Sequence, residues 1–405
     1  MEDALARLRG NGGIRMTMRL SRLAALIATA ALVATACGDD GGTSAAPTTT
    51  AALTPTTTAA GAAPSTTLST AEIAKCADAN AKVPNPGDTL TFSWGGGLTK
   101  EGVEKHVKPL FEKASGLKMT VLGASSADTI AKIIAQGGGG DLDVIYTSQN
   151  TLELGRAANV LLPLNYNLLP ETKTLAKTKL DPTPTGNVAV TVSEFAYGVA
   201  YRIDTLKKKN LPEPTSTKDM LNPIYGDSVG LYAPPFAGAV AQIGAFNELA
   251  GGAANDPTKG IASLAALKSA RSVANSAVMD AAVADGSVAM WYSASATVQG
   301  LLDTGVQVNM VFDPAYTTGI YVTIPKGSKN AGAACVFANW SVSKEGQEAL
   351  QKVNGNAPVR TDVTLRPDTV LSAKLPKTTQ KSYQDLITPL PTSEKLTELW
   401  NTARR

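Results

Sequence analysis

Aromatic, glycine and hydroxyl residues stand at the ends of two segments predicted to be strands. Trp94 ends the first and precedes Gly95 and Gly96, so an indole face and a bare backbone could approach a ligand together. Thr147 and Ser148 end the second, where their hydroxyls could donate hydrogen bonds. The pattern is typical of non-covalent recognition of a small polar molecule. The structural alternatives are a core indole at Trp94 and a helix cap at Ser148.

A second set of aromatic residues lies in the C-terminal half. Trp291 and Tyr292 end a predicted strand over 287–292 and could form the opposite wall of a binding site. Because alternate strand residues face opposite ways, one of the two is expected in the core. Two further aromatic candidates follow proline-containing turns: Phe236 and Tyr316.

Residues suited to catalysis are few. His106 is the single histidine, and its position between Lys105 and Lys108 favours a solvated helix surface over a general base or a metal ligand. The sequence has no Cys/His spacing for zinc and no glycine-rich phosphate loop. We therefore predict no catalytic residues, no metal site and no cofactor, and expect the protein not to be an enzyme.

Predicted strands and helices alternate along the chain, which indicates parallel βαβ units and an α/β fold. In the N-terminal half, Pro109 must kink or restart the helix predicted over 100–114 because it lacks an N–H group. The other predicted segments are strands over 89–94, 117–122, 142–147, 188–201, 229–232, 287–292, 306–312 and 320–324, and helices over 128–136, 238–250, 261–284, 331–340 and 344–353.

The N-terminal region predicts export. Arg19 and Arg22 precede a short apolar run, which ends in small residues and then Cys37. This arrangement resembles a bacterial lipoprotein signal, in which the cysteine is lipidated and becomes N-terminal. We predict a signal peptide over 1–36 and, over 37–70, the lipidated Cys37 with a disordered Thr/Ala/Pro stalk. About 330 residues remain, which favours two lobes over one.

Charge and cysteine content narrow the function further. The chain has 37 basic and 34 acidic residues, and without residues 1–36 it has 32 of each, so a nucleic-acid partner is not expected. In an oxidising compartment Cys76 and Cys335 are expected to form a disulfide. The alternative is two buried thiols, because Cys335 lies in an apolar run.

Several short motifs, in a consistent order, resemble those of ABC-importer solute-binding proteins. More narrowly, they resemble the spermidine/putrescine-type cluster of the type II periplasmic-binding fold. Each motif alone is weak, but together they extend over most of residues 88–362. They are the segments 91–97, 108–118, 197–201, 214–220, 222–226, 285–291, 324–327, 338–347 and 356–359.

The resemblance implies two α/β lobes joined by crossing segments, with a hinged cleft between them. By analogy the chain crosses near 193–195, 311–313 and 350–358, so that lobe one comprises 71–192 and 312–350 and lobe two comprises 193–311 and 351–405. Glu194 and Asp313 then lie at crossings, and Tyr197 lies on a crossing strand.

The function implied is a monomeric, lipid-anchored receptor on the outer face of the cytoplasmic membrane. It would capture a small polar or charged solute and deliver it to ABC permease subunits. Polyamines fit poorly, because 232–237 and 316–319 lack the acids that polyamine binders carry there. Ferric relatives use an adjacent Tyr pair, which the chain lacks. The alternatives are a receptor that presents ligand to a membrane sensor and a secreted hydrolase on the same fold.

Overall fold

The computed structural model describes residues 68–176, 179–183, 186–372 and 380–405. Within these residues one mixed sheet of nine strands runs through the protein. The strands are β1 (Thr89–Ser93), β2 (Lys118–Leu122), β3 (Val144–Ser148), β4 (Val190–Arg202), β5 (Val229–Tyr232), β6 (Arg271–Val273), β7 (Met290–Ala294), β8 (Val308–Thr323) and β9 (Gln380–Ser382).

Helices connect these strands and pack on the sheet. In the part of the chain described, the α-helices are α1 (Thr70–Ile73), α2 (Leu98–Gly102), α3 (Lys108–Ser115), α4 (Ser126–Ala135), α5 (Gln149–Ala157), α6 (Ile203–Lys208), α7 (Ala237–Leu249), α8 (Thr258–Ala265), α9 (Ser276–Ala284), α10 (Ser295–Asp303), α11 (Ala331–Ser341), α12 (Lys344–Asn354), α13 (Tyr383–Ile387) and α14 (Ser393–Ala403).

The sheet contains two parallel groups of strands joined by two long antiparallel strands. The order is β2-β1-β3-β8-β4-β7-β5-β6, and β9 pairs with β8. β1 pairs in parallel with β2 and β3, and β5 pairs in parallel with β6 and β7. β4 and β8 pair with each other between the two groups. The α/β fold class predicted from the sequence is confirmed.

Each half of the two long strands belongs to a different core. Val192 of β4 and Ile320 of β8 pack with β1 to β3 and α11 in the first lobe. Val199 and Tyr316 pack with β5, β7 and α7 in the second lobe. The chain therefore crosses between lobes where residues 193–196 of β4 face residues 317–320 of β8.

This arrangement moves one of the predicted lobe boundaries. Phe312 and Ala315 pack in the second lobe, so the return crossing lies near 317–320 and the prediction of 311–313 is wrong. Val353 and Val359 still pack in the first lobe. Ala357, which lies between them, pairs with Glu194 and packs against the second-lobe core, so the third crossing begins within the predicted range of 350–358.

Pro109 is accommodated by a change of helix type. Between α2 and α3, residues Val103–Val107 form a π-helical turn in which the Lys108 N–H donates to the Val103 carbonyl, five residues back. Pro109 then lies in the first turn of α3, where its missing N–H costs no helical hydrogen bond. The predicted interruption at Pro109 is confirmed.

The single helix predicted over 261–284 is wrong. α8 ends at Ala265, β6 pairs in parallel with β5, and α9 begins only at Ser276. The Asn275 side chain caps α9 by accepting a hydrogen bond from the Val278 N–H at 3.0 Å. Strand pairing and this cap outweigh the helix propensity of the alanines.

A disulfide ties the N-terminal segment to the first lobe. Cys76 and Cys335 are joined across 259 residues of sequence, with their Cα atoms 5.7 Å apart. Both residues are buried, and Cys335 lies in α11. The structure thus contains the bridge and not the alternative of two thiols.

The predicted signal peptide over 1–36, the predicted lipidation site Cys37 and the predicted stalk as far as residue 67 lie outside the described residues. Directly after this part of the chain, Ser69 caps α1 together with Glu72. Among the residues described, no helix has both the length and the apolar character needed to cross a membrane.

Candidate functional site

The carboxyl ends of the parallel strands in both lobes lie beside the crossing. Ser148, the last residue of β3, pairs with Ile320, which faces Ser193. Ala294, the last residue of β7, pairs with Tyr197. Ligands of open α/β sheets bind at such strand ends. We call this region the cleft edge, and it consists of Trp94–Gly97, Gly123–Ser125, Ser148, 193–197, Ala233–Phe236 and Ala294.

A glycine turn forms part of the cleft edge. Gly95 and Gly97 have φ angles of 50° and 53°, a backbone conformation that favours glycine. Gly96 is exposed, and a Cβ atom built on it would meet nothing closer than the Gly123 carbonyl oxygen at 4.0 Å. The Gly96 backbone is therefore open to close approach by a ligand.

Trp94 is more deeply buried than a side chain that offers its ring to a ligand would be. Its side chain is only 7% exposed and packs with the first-lobe core. The centres of the Trp94 and Tyr146 rings are 5.1 Å apart. Because the indole lies in the core, the glycine turn that follows it is more accessible to a ligand than the ring is.

The two hydroxyl residues at the end of β3 differ in environment. Thr147 was predicted to bind the ligand, but it is fully buried and its hydroxyl donates to the Tyr321 carbonyl at 3.4 Å, so in this structure it offers no surface to a solute. Ser148 is partly exposed and precedes α5, but its side chain bonds to the Thr151 hydroxyl at 3.1 Å and does not cap the helix.

Three helices begin at the cleft edge without a side-chain cap. α5 follows Ser148, α7 follows Phe236 and α10 follows Ala294, and in none of them does the N-cap side chain accept a backbone hydrogen bond. The first N–H groups of a helix lack intrahelical partners and carry partial positive charge. This edge can therefore donate hydrogen bonds to acceptor groups of a solute.

The two acidic candidates are placed differently. Glu194 lies at the crossing, is partly exposed and forms an ion pair with Lys179. Its backbone also pairs with Ala357, which brings the third crossing to the same point. Asp313 is exposed, in the irregular part of β8 between Val311 and Tyr316. Its assignment to a crossing is wrong because the crossing lies further along β8.

Most second-lobe aromatic candidates belong to the core. Trp291, Tyr292 and Tyr316 were predicted to face the ligand, but each is at most 1% exposed, so in this structure they offer no surface to a solute. Trp291 packs with Val298 and Met310 on one side of the sheet, and Tyr292 packs on the other. Helices cover both faces, so both residues are buried. Phe236 remains partly exposed at the cleft edge, against Tyr232.

Tyr197 forms the aromatic part of the crossing. Its ring stacks on Tyr383 at 4.7 Å and on Tyr292 at 6.2 Å, and contacts Phe195 at 5.7 Å. Burial raises the pKa of Tyr197 to about 12, so the phenol is neutral at physiological pH. It can donate a hydrogen bond but carries no charge.

Sequence reasoning missed Lys179, Phe195 and Tyr383. Lys179 is 15 residues from Glu194, and Tyr383 is distant in sequence from Tyr197. Phe195 lies in the segment that was recognised as a crossing, so the alternation of β4 could have identified it. Nothing in the local sequence pairs Lys179 or Tyr383 with the crossing.

Comparison with known proteins agrees with this geometry. The sequence profile of the bacterial extracellular solute-binding proteins matches residues 109–379. The chain is 28% identical over 296 residues to the major ferric iron-binding protein of Neisseria meningitidis serogroup B, covering 71% of this chain and 85% of that protein.

Two solved structures show the same fold. The periplasmic binding protein AfuA of Actinobacillus pleuropneumoniae, with fructose-6-phosphate bound, superposes with a TM-score of 0.62 at 20% identity, covering 78% of this chain and 98% of AfuA. The spermidine/putrescine-transporter protein PotD of Streptococcus pneumoniae gives 0.62 at 16% identity, covering 79% and 100%.

The fold and its crossing strands define a two-lobed periplasmic-binding protein. The chain belongs to the family of bacterial extracellular solute-binding proteins. The family and fold predicted from the ordered motifs are confirmed.

Proposed function

We propose that the protein is a lipid-anchored receptor that captures a small polar or charged metabolite at the cleft edge and delivers it to an ABC permease. The observation that carries this proposal is the convergence of both lobes' strand ends on residues 193–197. A solute at that point contacts both lobes at once. Rotation of the lobes about β4 and β8 then removes it from water and strengthens its polar contacts.

Hydrogen-bond donors at the cleft edge favour a solute with acceptor groups such as carboxylate or phosphate. The uncapped starts of α5, α7 and α10 supply backbone N–H groups. Ala233–Ala237 contains no acid, and Glu194 is neutralised by Lys179. These features support an acceptor-rich solute and speak against a polyamine such as the PotD name suggests.

Ferric ion, named for the Neisseria relative, is a less favoured solute. The chain has no adjacent Tyr pair. Within the described residues, no group of three His, Cys, Asp or Glu side chains is placed to hold a metal ion. Ferric citrate nevertheless belongs in any ligand screen, because the chain is 28% identical to the Neisseria protein and only 16% identical to PotD.

We expect the substitution Gly96→Val to abolish solute binding without unfolding the protein. The added side chain enters open space at the cleft edge and occupies the position that a solute would take. The measurement is thermal unfolding of the full-length chain against carboxylates, phosphorylated sugars, amino acids, polyamines and ferric citrate. A solute at about 100 times its Kd stabilises the wild type by about 2.7 kcal/mol.

Ala262→Val is the matched control, because Ala262 is exposed on α8, which packs on α7 and α14 away from the strand ends. This variant should keep the full ligand response. Retention of the response by Gly96→Val would place the solute elsewhere. A chain that responds to none of these classes would contradict capture of such metabolites.

The anchor depends on Cys37, and the apolar run before it supports export and lipidation. Cys37→Ser should move the protein from the membrane fraction of cells to the soluble exported fraction, because a lipid chain at the N-terminus is lost. Fractionation with mass spectrometry of the mature N-terminus measures this. Equal membrane retention of Cys37→Ser and wild type would rule out the proposed anchor.

A further inference from the structure

A pocket of about 450 Å³ lies outside the cleft edge and is lined entirely by ionisable residues. They come from four separate parts of the fold: the π-helical turn, α10, α12 and the segment that follows the third crossing. The lining residues are Lys105, His106, Asp303, Lys352 and Arg366. None of these lies at a strand carboxyl end, so the proposed solute site does not account for the pocket.

Positive charge predominates in this pocket. Lys105 and Lys352 have no ion-pair partner among the residues that the structure describes. Arg366 forms an ion pair with Asp368 through two hydrogen bonds of 3.0 and 2.6 Å and also donates to the Gln351 carbonyl at 3.2 Å. Two of the five N–H groups of its guanidinium are left for a further acceptor. Asp303 is the acidic residue among those that line the pocket, and its carboxylate accepts a hydrogen bond from Gln299 at 2.8 Å.

The pKa of His106 is lowered by its surroundings. Partial burial is the largest cause, and the charges of Lys105, Lys352 and Arg366 lower the pKa further, while the charge of Asp303 raises it. The imidazole is therefore neutral at pH 7 and holds one N–H donor. A bound anion would offset the surrounding cations and make protonation of His106 easier.

The pocket joins parts that pack in different lobes. His106 lies between Val103 and Val107, both of which are buried in the first-lobe core. Asp303 ends α10, whose Val298 and Leu301 pack in the second-lobe core. An occupant of this pocket therefore touches both lobes from outside the cleft edge.

We propose that this pocket is a second binding site, one for a phosphate group, carried by free phosphate or by a small phosphorylated molecule. Two compact ammonium groups, a planar guanidinium and an imidazole approach from different elements. They match the several acceptor oxygens of a phosphate dianion better than a single planar carboxylate. The volume leaves room for an organic group beside the phosphate.

His106 gives the test a direct reporter, because it is the single histidine in the chain and its NMR signal needs no assignment. The full-length chain, purified without a histidine tag and labelled at histidine, is titrated with pH in the presence and absence of inorganic phosphate. We expect phosphate to raise the pKa of His106 by about one unit. Sodium chloride of equal ionic strength should produce a much smaller change.

Two variants with opposite expected effects make the test specific. Lys352→Gln removes a cation and should weaken phosphate binding about fivefold, and Asp303→Asn removes the opposing charge and should strengthen it by a similar factor. The cleft-edge variant Gly96→Val should bind phosphate as the wild type does. If it does not, the phosphate lies in the solute site and the second site is wrong.

Vesicles containing phosphatidylglycerol distinguish the source of the phosphate. A response of His106 to free phosphate alone assigns a soluble ligand, and a response to vesicles alone assigns a lipid headgroup. Either response supports a phosphate site. No response to both, or equal responses of wild type, Lys352→Gln and Asp303→Asn, would overturn the proposal.

Discussion

Replacing Trp291 with alanine will lower the free energy of unfolding by about 3–5 kcal/mol, because it removes the largest fully buried side chain of the second lobe and leaves a cavity. The indole packs among Val298, Met310 and Leu371, and in a close-packed core such neighbours relax only partly into the space that it leaves. Urea unfolding of the full-length chain measures the loss. Solute affinity of the folded fraction should remain that of the wild type.

Leu154→Ala provides the control for this experiment, because Leu154 is 55% exposed on α5 and its truncation should cost less than about 0.5 kcal/mol. If Trp291→Ala left the stability unchanged but abolished solute binding, Trp291 would face the solute. That result would contradict the packing described above.

Removal of the disulfide is expected to have the other large effect. The double substitution Cys76→Ser and Cys335→Ser should cost about 2–5 kcal/mol, because the bridge closes a loop of 259 residues and the unfolded chain gains that freedom. Thermal unfolding in the presence and absence of a reductant measures it. The reductant should lower the melting temperature of the wild type and leave that of the double variant unchanged.

Packing around the bridge offers a check on this interpretation. Cys335 is completely buried in α11, so a serine hydroxyl there also loses hydrogen bonds to water. Replacing both cysteines with alanine separates the two effects. A reductant that leaves the wild-type melting temperature unchanged would show that the bridge contributes nothing.

Much of the fold could be predicted because its elements are local. The glycine-bounded strands and the amphipathic helices between them appear where the hydrophobic periodicity places them, as at β5 and α11. The return crossing was misplaced because it was set by analogy at 311–313, where the strand predicted over 306–312 ends. The structure instead keeps β8 continuous and absorbs the proline in a register shift against β4 between Tyr197 and Val199.

The site was less predictable than the fold. Gly96 and Ser148 could be identified because residues that follow parallel strands lie at the carboxyl edge of a sheet. The burial of Trp291 and Tyr316 could not, since alternation along a strand does not reveal whether helices cover one face or both. The Lys179–Glu194 ion pair depends on the route of the loop before β4, which leaves no periodic signal.

The paired crossing strands also govern how the two lobes can move. β4 and β8 are hydrogen-bonded on both sides of the crossing, and their register shifts fall between Thr191 and Ser193 and between Tyr197 and Val199. We expect a pair of strands with two such irregularities to twist most easily in the segment between them and to stay stiff where the hydrogen bonding is regular. We expect relative motion of the lobes to be a rotation about the segment between the two register shifts, beside Glu194 and Phe195.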